Sequence, residues 1–130
     1  MTIAHRKRIL VVEDDERLAT VLSTQLQLAG YDVHAEGSGT RALGDAAEHR
    51  PDLVLLDLRL PDMGGYEVCK ALRKLYTRWD MPILMLTGMD RPIDQLRGFA
   101  HGADAYMTKP YDSTELVKTI TLLLGEAALT

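Results

Sequence analysis

The stretch ILVVEDDE, residues 9–16, sets four aliphatic residues directly against four acids, Glu13, Asp14, Asp15 and Glu16. A continuous aliphatic run of this length fits a strand covered on both faces, as in a parallel sheet. The acids at its end need a separate reason. Two carboxylates about 4 Å apart repel by roughly 4 kcal/mol at an effective dielectric near 20. Crowding of this kind is stable only where something positive is bound or close by.

Two further continuous runs, at 53–56 and 83–86, repeat the pattern, and weaker strands fit 32–36 and 103–107. Helical periods fill the intervals. Leu18, Val21, Leu22, Leu26 and Ala29 share one face, and Gly30 is a suitable stop. A second helix fits 40–48 and ends before Pro51, because the residue preceding proline avoids the helical region. A third spans 66–75 with Val68, Cys69, Leu72 and Leu75 inward. A fourth spans 92–100, with Asp90 as a cap and Pro92 in its first turn. Asp112 and Glu115 have the spacing of a capping box before a fifth, whose Leu116, Val117, Ile120, Leu123 and Leu124 face inward. Asp15 and Glu16 read as acids at the start of the first helix, where the dipole favours negative charge. Five β/α repeats with short connections imply an α/β fold, a parallel sheet between two helical layers.

The chain has 130 residues, enough for one domain, and 46% of them are hydrophobic, enough for a substantial core. A net charge of −4 gives no general attraction for nucleic acid or an anionic membrane, so neither is expected as a partner. The run His5-Arg6-Lys7-Arg8 reads as a solvated lead-in to the first strand. The single cysteine, Cys69, excludes an intrachain disulfide and suits a reducing compartment. There is no apolar run of membrane-spanning length and no signal-peptide pattern, so a cytoplasmic location is expected. The four histidines are scattered without ligand spacing, and Met81, Met85 and Met89 read as packing residues.

In open parallel sheets, ligands bind beyond the carboxyl ends of the strands, where strand order reverses. Glu13, Asp14 and Asp15 follow the first strand and Asp57 follows the third, in VLLDLRLPDMGG. Thr87 ends the fourth in ILMLTG, and Lys109 follows the fifth in YMTKP. If the first and third strands are neighbours, the acids converge on one crevice.

Taken in order, VVEDD, LLDLRLPDMGG, LTG and GADAYMTKP resemble the receiver domain of two-component response regulators over essentially the whole chain. The resemblance implies a flavodoxin-like (βα)5 doubly wound sheet in the order 2-1-3-4-5, with residues 1–130 as one receiver domain whose core runs from about 8 to 125; with no effector domain expected in it, the chain reads either as a stand-alone regulator or as a piece of a longer one. It implies Mg²⁺ held by Asp14, Asp57, the main-chain carbonyl of Arg59 and, through water, Glu13; crowded carboxylates suit such a hard cation. It implies Asp57 as the acceptor of phosphate from a phosphohistidine, with Lys109 as a second cation and Thr87 as a hydroxyl donor at the phosphoryl oxygens. Thr87 and Tyr106 become the switch pair, and the surface of the fourth helix, fifth strand and fifth helix becomes the output. The partners implied are a sensor histidine kinase or histidine phosphotransfer protein, with a homodimer possible through the output face. Lys109-Pro110 is a candidate cis bond.

Two other classes are weaker. A magnesium-dependent phosphohydrolase with an aspartyl nucleophile wants a second carboxylate two residues later, where this chain has Arg59. A phosphorylation-independent pseudo-receiver typically lacks an acid, the acceptor or the lysine, and here all are present. The chain therefore reads as a signalling switch, not as a turnover enzyme. The fifth helix offers Lys118 as its only base, so an apolar contact involving Leu122 and Leu129 is expected in place of a salt-bridged one.

Overall fold

The computed structural model describes residues 6–125. Five strands, β1 (Arg8–Val12), β2 (Asp32–Glu36), β3 (Leu53–Leu56), β4 (Ile83–Thr87) and β5 (Ala105–Thr108), alternate with five helices. These are α1 (Glu16–Leu28), α2 (Gly39–Glu48), α3 (Gly65–Leu75), α4 (Pro92–Ala100) and α5 (Ser113–Leu123). All pairings are parallel and the order is β2-β1-β3-β4-β5. The doubly wound α/β fold is thus as expected.

The aliphatic runs are continuous because both faces of the sheet are covered. On one face Leu10, Val12, Val54, Leu56, Ile83 and Met85 pack with Ala42 and Ala46 of α2 and Val68, Cys69 and Leu72 of α3. On the other, Ile9, Val11, Leu53, Leu55, Leu84 and Leu86 pack with Leu22 and Leu26 of α1 and Leu116 and Ile120 of α5. The Cys69 thiol is fully buried and donates to the His101 carbonyl at 3.3 Å; burial pushes it up to about 11, which fits packing and not reactivity.

Helix starts other than that of α3, which begins at Gly64-Gly65, are set by side chains. The Asp15 carboxylate accepts from the Arg17 and Leu18 amides, and the Asp112 carboxylate from those of Thr114 and Glu115. At α4 the expected cap is corrected. Asp94 does the work that Asp90 was expected to do, accepting from the Arg91 amide at 3.1 Å and pairing with the Arg91 guanidinium. The fifth strand starts two residues later than expected, because the Asp104 carboxylate instead accepts from the Ile83 amide and the Arg73 guanidinium. Three residues expected inside lie out. Val21 sits a quarter turn from Leu22 and is half-exposed. Ala29 follows the last helical residue, where Gly30, at φ +101°, turns the chain away. Leu75 ends α3, and Tyr76 packs on the core in its place, its hydroxyl donating to the Ala46 carbonyl.

At the amino ends of the strands, Arg8 is structural and not merely solvated. Its guanidinium pairs with Asp45 at 3.0 Å and donates to the His49 carbonyl. The turn from α3 to β4 presents Trp79, which is 91% exposed. Among the described residues, no helix is long and apolar enough to cross a membrane. His5 and Leu129 lie outside the described residues.

Leu10 is fully buried between β3 and the α2–α3 layer, so Leu10→Ala is expected to destabilise the fold by ~2–5 kcal/mol. Val21→Ala should change stability by no more than ~0.5 kcal/mol, since Val21 is not in the core. Urea unfolding midpoints of the two variants check the contrast.

Candidate functional site

The backbone ladder continues past the strand ends and fixes the site residues. The Glu13 amide donates to the Glu36 carbonyl, the Asp57 amide to Val12, and the Lys109 amide to Thr87, all at 2.9–3.0 Å. Glu13 beyond β1, Asp57 beyond β3, Thr87 at the end of β4 and Lys109 beyond β5 are thereby brought together at the carboxyl edge. Glu13, Asp57 and Thr87 are buried, while Asp14 is exposed. One carboxylate oxygen from each of Glu13, Asp14 and Asp57 lies within 4.8 Å of the others. An open crevice of about 740 Å³ lies beside this cluster, lined in part by Glu13, Asp14, Ser38, Arg41 and Pro61.

Lys109 spans the acids. Its Nζ donates to Glu13 Oε1 at 2.5 Å and to Asp57 Oδ2 at 3.0 Å. Burial alone would lower this ammonium, but the hydrogen bonds it donates to Glu13 and Asp57, with the charge of those acids, outweigh it and hold the group above its ordinary value. Burial pushes the Glu13 carboxyl up to about 7, against the opposing pull of Lys109 and the Asp15 amide. An all-oxygen set of three acids is the donor chemistry that a hard divalent cation takes.

Arg59 and Met89 lie two residues beyond Asp57 and Thr87. The Arg59 side chain is exposed, its amide donates to Asp57 Oδ1 at 3.3 Å, and Arg59 bridges Gly64 across the loop. Met89 packs against the core, in line with its reading as a packing residue. Its amide donates to Thr87 Oγ1 and its carbonyl accepts from the Tyr106 hydroxyl at 2.6 Å. Thr87 and Tyr106 thus meet through the backbone of one residue. Lys109-Pro110 is cis, as expected.

One residue of this region escaped the sequence reading. Asp62, in the β3–α3 loop, accepts from the Gly39 amide, the Thr40 amide and the Thr40 hydroxyl at 2.6–2.9 Å. It caps α2 from another loop, and the Thr40 hydroxyl followed by the two amides holds its carboxyl down at about 2. Met63 fills the space above Gly39, where a Cβ would come within 2.3 Å of its side chain. The only local signal was an acid after proline in LPDMGG.

Residues 9–121 match the response regulator receiver domain family. The chain belongs to that family. It is 43% identical over 123 residues to the alkaline phosphatase synthesis transcriptional regulatory protein PhoP of Bacillus subtilis, covering 95% of this chain and 50% of that protein. It is 40% identical over 117 residues to the DNA-binding dual master transcriptional regulator RpaA of Synechocystis, covering 90% of this chain and 48% of that protein. The chain therefore spans about half the length of these curated relatives. A CheY-like receiver domain protein from Methanospirillum hungatei superposes with a TM-score of 0.88 at 32% identity, covering 94% of this chain and 96% of the other. The BeF3-activated receiver domain of Klebsiella pneumoniae RstA gives 0.85 at 33%, covering 91% and 98%.

The raised Glu13 carboxyl has a measurable consequence in metal-free protein. Its folded value near 7 exceeds its ordinary 4.5, so between these values the folded state binds more protons than the unfolded state. Stability from this group is full below about 4.5 and is lost as pH rises toward 7. Urea midpoints measured in chelator are expected to fall across that window, and the Glu13→Gln variant should lose that part of the slope.

Proposed function

We propose that this chain is a phosphoryl-accepting switch, a receiver domain over residues 1–130 with its core at about 8–125, in which Asp57 is the acceptor. The observation that carries the reading is the convergence of Glu13, Asp14 and Asp57 within 4.8 Å, with the Lys109 ammonium on two of them. Asp14, Asp57 and the Arg59 carbonyl would hold Mg²⁺, with Glu13 acting through water. When bound, that ion supplies positive charge against the phosphoryl oxygens.

The Asp57 carboxylate oxygen attacks the phosphorus of a phosphohistidine on a partner. A P–O bond forms, the P–N bond breaks, and the imidazole leaves with its electron pair. Lys109 stays at the phosphoryl oxygens as a second cation, released in part from Glu13. The Thr87 hydroxyl, which now only accepts from the Met89 amide, turns to donate to a phosphoryl oxygen. That movement leaves room for the Tyr106 ring to rotate inward onto the Met89 carbonyl, so the chemistry is read out at the face of α4, β5 and α5.

The partner supplying phosphate is a sensor histidine kinase or a histidine phosphotransfer protein, met in the cytoplasm. The output face carries the exposed apolar residues Ile93, Leu96 and Phe99 of α4, and we assign homodimer or partner contact to it. Leu122 is exposed as expected, but it lines a groove with Leu28, Val117 and Thr121 between α1 and α5, so it does not contribute to that contact. RpaA is named as DNA-binding; the net charge of −4 here argues against direct contact with nucleic acid. Switching, not turnover, is the role, with Arg59 where a hydrolase would need an acid.

The deciding experiment is incubation with a phosphorylated histidine donor and Mg²⁺, followed by mapping of the acyl phosphate by mass spectrometry. Label is expected on Asp57, and label persisting in Asp57→Asn would refute the assignment. Millimolar Mg²⁺ should also raise the melting temperature, and Asp14→Asn should abolish the rise.

Phosphate lifetime offers a second check. Hydrolysis needs a water in line with the departing Asp57 oxygen, and the exposed Arg59 side chain restricts its approach. Arg59→Ala should speed loss of phosphate up to about tenfold, or ~1.4 kcal/mol of barrier. Met89→Ala should have the smaller effect because Met89 is packed on the core. Decay after donor removal is the measurement, and unchanged decay in Arg59→Ala would leave that residue only its carbonyl.

A further inference from the structure

The last turn of α4 carries a glycine that its backbone does not require. Gly98 has no positive φ, unlike Gly30, Gly102 and Gly125, and glycine is among the poorest residues for a helix interior. What calls for it is space. A Cβ at Gly98 would lie 2.8 Å from Met85 Sδ and 3.0 and 3.2 Å from Cδ2 and Cε2 of the Tyr106 ring. These distances are inside normal contact for a saturated carbon. The rest of the inner face of α4 is held as closely. The Tyr66 hydroxyl donates to the Asp94 carbonyl at 3.0 Å, and its ring stacks on His101 with centroids 4.9 Å apart. The Tyr106 ring is therefore fixed at two points, by its hydroxyl on the Met89 carbonyl ahead of α4 and by its edge against the bare backbone of Gly98.

We infer that Gly98 is a positioning residue of the switch: the side chain it lacks is the seat of the Tyr106 ring, so it sets the balance between seated and outward ring. The inference rests on the roles proposed above for Thr87 and Tyr106. If a seated ring goes with Thr87 turned toward the phosphoryl group, anything that unseats the ring must weaken binding at Asp57, because coupling between two sites is reciprocal. An alanine at position 98 would fill the seat. Its greater helix propensity would act on stability alone and leave that binding unchanged.

The test uses beryllofluoride with Mg²⁺ as the phosphoryl mimic, its affinity measured by NMR titration of the full chain. Wild type, Gly98→Ala, Tyr106→Ala and the double variant form a cycle. Gly98→Ala is expected to bind three- to tenfold more weakly, and the loss should shrink to less than twofold in the Tyr106→Ala background. Unchanged affinity in Gly98→Ala, or an equal loss with and without the ring, would overturn the inference. Should Gly98→Ala fail to fold, the wild type decides: cross-relaxation between the Gly98 α-protons and the Tyr106 ring that strengthens with beryllofluoride supports the seat, and its absence in both states overturns it. Failure of the wild type to bind beryllofluoride would overturn the switch reading first, before any variant is compared.

Discussion

The ammonium of Lys109 is the point on which the site depends. Glu13 and Asp57 hang from adjacent strands, each fixed by a ladder hydrogen bond from its own amide, and neither can move far to escape the other. A cation just beyond β5, 96 residues along the chain from Glu13, lies between them. With all three acids ionised, Glu13, Asp14, Asp57 and Lys109 carry a formal charge of −2. That remainder matches the charge of one divalent cation. The strand order makes this possible, because only a sheet with β1 beside β3 sets those two carboxylates next to each other.

The two edges of the sheet are finished differently. At the amino edge, charges are matched within the chain: Arg8 lies on Asp45 and the His49 carbonyl, and Arg73 ties the Gly102 and Met81 carbonyls to Asp104. At the carboxyl edge, acids are in excess and the Asp14 side chain faces solvent. A rigid, self-satisfied base under an incompletely neutralised top is the division of labour expected when function sits on loops carried by a scaffold. Asp62 extends the rigidity upward, since its carboxylate fastens the loop that bears Arg59 to the start of α2.

Much of this was legible in the sequence, for identifiable reasons. The runs at 9–12, 53–56 and 83–86 are unbroken because both sheet faces are buried, and the strand-end acids, Thr87 and Lys109 follow them directly. The strand order came from family resemblance; periodicity alone leaves it open. What could not be read were contacts made through distant backbone carbonyls and amides. Nothing near Tyr66 announces the Asp94 carbonyl, nor anything near Asp62 the amides of Gly39 and Thr40. Val21 and Leu75 were misplaced for a simpler reason: a helical repeat gives the angle of a side chain but not where the sheet beneath it stops.

Trp79 has a practical bearing on how this molecule can be watched. It is the chain's single tryptophan, it stands almost wholly in water, and it belongs to the turn that enters β4, whereas Thr87 ends that strand. From Ile83, where the strand begins, to Thr87 the chain runs about 13 Å at 3.3 Å per residue, and Trp79 lies before that start. An indole so placed emits much as it would in the unfolded chain and sits too far from the acids to be quenched by an ion among them. Native fluorescence will be nearly silent to events at Asp57. An optical readout needs an indole introduced near the crevice, with Trp79 removed so that its constant emission does not mask the signal.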